Sequence, residues 1–205
     1  MKKLLLLLCA ISLIFGVAGS AGATVLTFDD IAAPTSSFEP ILNGYGGFSW
    51  DNFYYMNRNY PLSKGFPDTG YKNGTVSGDY SAFNGYGEFA SLNINSGVFD
   101  FVGASLTSAW LGGNSVIVEG YLGGPMGTRV DAMTVTVNTD TATWFAFNFV
   151  GIDSLVFSST EKQFVLDDFT YNSSTPVPEP ATMLLLGAGL LGMGVVGRKK
   201  LFKKA

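Results

Sequence analysis

Two pairs of adjacent aspartates, Asp29-Asp30 in VLTFDDI and Asp167-Asp168 in FVLDDFTY, stand near opposite ends of the stretch Thr24–Thr175. Hard oxygen ligands of this kind suit calcium, with backbone carbonyls and loop residues completing the shell. Adjacent residues in a strand point to opposite faces, so at most one member of each pair turns inward. The pattern allows two readings: a structural Ca2+ site drawn from Asp29, Asp30, Asp167 and Asp168, or exposed charges that guard strand edges. Other chemistries are harder to build. The chain has no histidine, and its single cysteine is Cys9. That excludes Ser-His-Asp and Cys-His nucleophiles and His-ligated zinc or copper. A Ser-Lys pair would have to use Lys64, Lys72 or Lys162, none of which sits in a recognisable motif. Glycoside hydrolysis needs two convergent carboxylates, and Glu39, Glu88, Glu119 and Glu161 show no telling spacing. Glu119 alternates within a strand pattern and reads as an outward-facing charge. No catalytic residue is assigned.

Aromatic residues carry the other candidate chemistry. From Tyr45 to Phe89, 13 of 45 residues are Phe, Tyr or Trp, mixed with Gly, Asn and Ser. Rings with polar tips suit a ligand that is apolar on one face and wet at its edges, as a sugar is. Trp50, Tyr54, Tyr55 and Tyr60 are the candidate glycan-binding residues, with Tyr71, Tyr80 and Tyr86 as further flat faces and Asn52, Asn57 and Asn59 as amide partners. The alternative is a long loop region folded over the domain and pinned by its own aromatics.

The elements that must position these residues read as strands. TWFAFNFV sets Phe145, Phe147 and Phe149 on one face by alternation, and SVIVEGYL, AMTVTVN, SLVFSS and FVLDDFTY repeat the pattern. YLGGPMG reads as a hairpin turn, and VFDFVGASLTSAW as one long strand with a bulge at Gly103 or as two strands. The predicted fold is all-β, a two-sheet antiparallel sandwich of jelly-roll type, whose first and last strands pair. Between Thr24 and Thr175 five basic residues face 15 acidic ones, a net charge near −10. Such a charge argues against nucleic acid or anionic lipid as partner. The Asn73 and Asn172 glycosylation sequons read as chance, with Asn73-Gly74 as a turn.

The ends carry addresses. Lys2 and Lys3 precede an apolar run, Leu4–Phe15, and small residues end in Ala21-Gly22-Ala23. Residues 1–23 therefore read as a signal peptide cut by signal peptidase before Thr24. With Cys9 removed, no disulfide is available, and stability must come from packing or a bound ion. The sandwich is expected over 24–171, followed by a linker, 172–180, containing Pro-Glu-Pro. Residues 181–197 carry no charge and span about 26 Å as a transmembrane helix. The tail 198–205 is basic, and the positive-inside rule keeps it in the cytoplasm with the domain outside.

Val-Pro-Glu-Pro, a short Gly-rich span and a terminal basic cluster together resemble the PEP-CTERM sorting signal. The resemblance implies recognition at Pro178, Glu179 and Pro180 by an exosortase, an integral-membrane Cys transpeptidase-like enzyme. It also implies anchoring in the inner membrane, then transfer to the cell surface or extracellular matrix of a Gram-negative bacterium that makes exopolysaccharide. The run GYGGFSWDNFYYMN…VSGDYSAFNGYGEFA is similar to other ectodomains with this signal. The layout of the terminal strands loosely resembles jelly-roll carbohydrate-binding modules. These resemblances assign the domain no activity; with the residue types weighed above, the expectation is a non-enzymatic exported domain that binds exopolysaccharide or forms part of the matrix. The rival expectation is a secreted carbohydrate-active enzyme.

Overall fold

The computed structural model describes residues 22–174. The expected signal peptide up to residue 21, the Pro-Glu-Pro motif, the expected membrane span and the basic tail lie outside the described residues. Among the described residues, no helix is long and apolar enough to cross a membrane.

Two antiparallel sheets pack face to face. The larger contains β1 (Thr24–Leu26), β2 (Glu39–Pro40), β4 (Phe53–Asn57), β5 (Tyr80–Asn84), β7 (Val98–Ser108), β10 (Thr143–Ile152) and β12 (Phe164–Ser174). The smaller contains β3 (Phe48–Asp51), β6 (Ala90–Ile94), β8 (Asn114–Leu122), β9 (Thr128–Val137) and β11 (Ser154–Ser159). Their orders are β10-β7-β12-β5-β4-β2, with β1 beside β12, and β3-β6-β11-β8-β9. The first and last strands do pair, Thr24 opposite Tyr171 and Leu26 opposite Phe169. The last strand continues to Ser174, because Ser173 and Ser174 still pair with Phe99 and Val98. Ordered sheet therefore extends past residue 171.

Local pattern and strand agree closely. In β8, Val116, Val118 and Gly120 are buried while Ile117, Glu119 and Tyr121 turn outward. Glu119 meets Arg129 across the hairpin at 2.6 Å. In β10, Phe147 and Phe149 are buried and Phe145 is half-buried. YLGGPMG is the β8–β9 turn, and the Asp153 carboxylate pins it by accepting hydrogen bonds from Gly123 N–H and Gly124 N–H. VFDFVGASLTS is one strand, and its pairing with β10 and β12 becomes irregular at Gly103. Two single-turn helices, α1 (Tyr60–Ser63) and α2 (Gly70–Asn73), are additions that sequence periodicity did not signal. Four residues make barely one turn, too few to repeat an apolar face.

The core between the sheets is built on phenylalanine. Phe28, Phe48, Phe53, Phe99, Phe101, Phe149, Phe157, Phe164 and Phe169 are fully buried. Many of these rings meet edge to face, as Phe48 does with Phe99 at 5.0 Å and Phe53 with Phe157 at 5.6 Å. That geometry adds to the area each ring removes from water. A separate apolar cluster of Met56, Tyr71, Phe83, Ala109 and Val165 lies on the outer face of the larger sheet. It forms where the segment carrying α1 and α2 folds down onto β4, β5 and β12.

Candidate functional site

Three of the four aspartates, Asp29, Asp167 and Asp168, converge on one loop, Val76–Tyr80. The Asp29 carboxylate accepts hydrogen bonds from the backbone N–H groups of Asp79 (2.7 Å) and Tyr80 (3.1 Å). Asp167, fully buried, accepts from Val76 N–H (2.7 Å), Ser77 N–H (3.0 Å) and Asp168 N–H (2.8 Å). Ser77 Oγ donates to Asp168 at 2.8 Å. Asp30 accepts instead from the Tyr45 hydroxyl, also at 2.8 Å. Strand alternation would send Asp167 and Asp168 to opposite faces. Asp168 escapes it by adopting a φ of 49° within a bulge of β12, so both side chains reach Ser77. Burial pushes the Asp167 carboxyl up to about 7, although the Ser77, Asp168 and Val76 N–H donors pull the other way; the Asp168 charge adds to the rise. Among the described residues, no group of three or more metal-ligating side chains gathers at one point. Asp29 Oδ1 and Asp167 Oδ2 are taken up as acceptors for the loop backbone.

Two of the four expected glycan-binding aromatics belong to the core, which corrects the reading from sequence. Trp50 is 7% exposed, its ring against Phe53 at 5.3 Å and its Nε1–H donated to the Tyr45 carbonyl. Tyr55 is 4% exposed and donates its hydroxyl to the Ala32 carbonyl. Both stand on the faces of β3 and β4 that look into the sandwich, so neither ring is available to a ligand. Tyr54 and Tyr60 point the other way.

A cleft of about 210 Å3 opens on that outer side. Its floor is Met56, Tyr71 and Phe83 from the outer cluster, and its walls include Phe38, Tyr60, Phe66, Tyr86 and Trp110. The sequence pointed to Tyr86 as a possible platform but not to Phe38, Phe66 and Trp110, which lie on separate segments. Trp110 is fixed on two sides. Its Nε1–H donates to Gln163 Oε1 at 2.7 Å, and Phe66 and Tyr71 meet its ring edge-on at 5.7 and 5.5 Å. Burial holds the Tyr71 hydroxyl above its ordinary range, and the Tyr54 phenol beside Tyr86 is raised as well, first by burial. These phenols stay neutral, leaving Lys64 as the charged residue in the lining. A second hollow of about 370 Å3 lies beside β2, but the hydroxyls of Tyr45 and Tyr55 in it are already committed to Asp30 and Ala32.

Tyr86 is held with unusual firmness for a surface residue. Its φ is 57°, a left-handed conformation that costs a side-chain-bearing residue on the order of 1 kcal/mol or more. Glycine on either side makes the turn possible. A Cβ at Gly85 would lie 2.4 Å from Asn52 Oδ1, and one at Gly87 would lie 2.9 Å from Lys162 Cα. Two amides clamp the turn from below. Asn52 donates to the Gly85 and Phe89 carbonyls, and the buried Asn84 donates to those of Glu88 and Lys162. The Tyr86 ring nevertheless remains 77% exposed, edge-on to Tyr54 at 5.9 Å.

Comparison with known proteins bears on both the address and the fold. Residues 176–200 match the PEP-CTERM protein-sorting motif, and Pro178, Glu179 and Pro180 fall within that match. The motif implies export and handling by an exosortase. The described domain has the fold of a DUF4465 family protein from Bacteroides caccae, at TM-score 0.55 and 13% identity over 75% of this chain and 100% of the other. More distant likenesses are to TmCBM61, solved with β-1,4-galactotriose (TM-score 0.35, 12% identity, 63% of this chain and 92% of the other), and to the K2 cleaved adhesin domain of Lys-gingipain (0.43, 10%, 76% and 100%). No curated protein matches the chain.

Proposed function

We propose that the exported domain is a non-enzymatic polysaccharide-binding module of the cell surface or extracellular matrix, with the outer aromatic cleft as its site. Tyr86 carries this reading. Its strained backbone and exposed ring gain little from folding, yet two glycines and the Asn52 and Asn84 amides hold it in place. A sugar ring stacking its C–H face on Tyr86 and Trp110 would recover that cost on binding, with its hydroxyls left wet at the cleft mouth. The lining contains no carboxylate, which favours binding over the acid–base pair that glycoside hydrolysis requires.

The test is retention of the full-length chain on the host's own exopolysaccharide, read by affinity electrophoresis. Tyr86→Ala and Trp110→Ala should each weaken retention several-fold, and no shortened polysaccharide should appear on prolonged incubation. Retention unchanged in both variants would overturn the cleft as the site, and released oligosaccharide would establish the enzymatic alternative. The address has its own test. Glu179→Ala should leave export intact and trap the protein in the inner membrane, so normal surface release of that variant would contradict exosortase recognition at Pro178–Pro180.

A further inference from the structure

On the basis of that reading, we infer that the cleft selects a single sugar residue bearing an anionic substituent, at a chain end or branch tip, and that Lys64 is the residue that reads the charge. The first observation is size. A volume of 210 Å3 falls below the roughly 300–1,000 Å3 of pockets that enclose drug-sized ligands, which leaves room for one ring and not for a run of them.

The second observation is charge. The domain is strongly acidic, with five basic residues between Thr24 and Thr175, and Lys64 lines the cleft. Among the described residues the ion pair formed is Arg129–Glu119, and Lys64 takes part in none. Its ammonium lies 5.6 Å from the centre of the Tyr60 ring, within the range of a cation–π contact that keeps it at the rim. A carboxylate or sulfate entering here meets the Lys64 ammonium and no carboxylate in the lining. Gln163 stands in the same lining. Its Oε1 is committed to Trp110, so its amide nitrogen remains to donate to a ring hydroxyl.

The experiment compares methyl glucuronoside with methyl glucoside on the full-length chain in mild detergent, by calorimetry or ligand-observed NMR. The wild type should favour the uronoside on the order of tenfold, the size of one charge-assisted hydrogen bond. Lys64→Gln should erase that preference by lowering uronoside affinity to the level of the glucoside, and Lys64→Arg should keep it. Glucuronic acid oligomers should bind within a few-fold of the monomer, because one residue fills the site. Equal affinity for the two glycosides, a preference that survives Lys64→Gln, or affinity that climbs with every added unit would each overturn the inference. Binding of uronoside and glucoside alike that depends on Tyr86 but not on Lys64 would overturn it while leaving the polysaccharide-binding function standing. Failure of every glycan to bind would remove both.

Discussion

Asp29 and Asp167 grip opposite ends of one loop. Asp29 holds the backbone N–H groups of Asp79 and Tyr80, and Asp167 those of Val76 and Ser77. The loop closes the segment that carries α1 and α2 over the larger sheet, so two carboxylates far apart in sequence anchor the cover of the cleft. Gly78 lies between the two grips because a Cβ there would stand 2.0 Å from Asp29 Oδ1.

This arrangement makes stability depend on pH. The Asp167 carboxyl titrates near 7 in the folded chain, against 3.8 ordinarily. Over that interval the folded state binds the extra proton, so stability falls as pH rises from about 4 to about 7. A shift of this size corresponds to a loss on the order of 4 kcal/mol. Thermal melts across that interval should show a declining midpoint, and Asp167→Asn should flatten the slope. A midpoint that climbs from pH 4 to 7 in the wild type would show that the loop donors outweigh burial.

Calcium is a separate question for the same residues. An ion bridging Asp29 and Asp167 would have to compete with the backbone donors held by Asp29 Oδ1 and by both Asp167 oxygens. The expected result is the same melting midpoint in millimolar calcium and in chelator. A rise that grows with calcium as the logarithm of its concentration would instead establish a site that binds the folded state alone.

Trp50→Ala should act as a core deletion. The ring sits among Phe28, Phe48, Phe53 and Phe169, and removing a buried large aromatic costs about 3–5 kcal/mol. Denaturant unfolding should show that loss, with polysaccharide retention by the remaining folded protein unchanged. A stable variant with impaired retention would return Trp50 to the surface.

Tyr86→Gly should do the reverse. Glycine relieves the left-handed strain, and the exposed ring contributes little to packing, so stability should hold or rise by up to about 1 kcal/mol. Polysaccharide retention should fall at the same time. Marked destabilisation would mean that Tyr86 is a packing residue.

While Val98–Ser108 read equally as one strand or two, the alternation of β8 and β10, the GGPMG turn and the meeting of β1 with β12 were legible in the sequence, as was the sorting motif. Each of these except the β1–β12 pairing is written in neighbouring residues, where a period of two or a Gly-Pro cluster is enough. The faces of β3 and β4 were not legible, because both are aromatic. Trp50, Tyr54 and Tyr55 satisfy the same local pattern, and only the opposing sheet decides that Trp50 and Tyr55 point into the sandwich while Tyr54 points out. The cleft was hidden for a related reason. Phe38, Phe66, Tyr86 and Trp110 come from separate loops and share no spacing, and they meet because the α1–α2 segment folds back onto β5 and β12. Asp168 is the smallest case of the same kind. A bulge one residue long turns it to the side of Asp167, and a bulge is set by pairing with a distant strand.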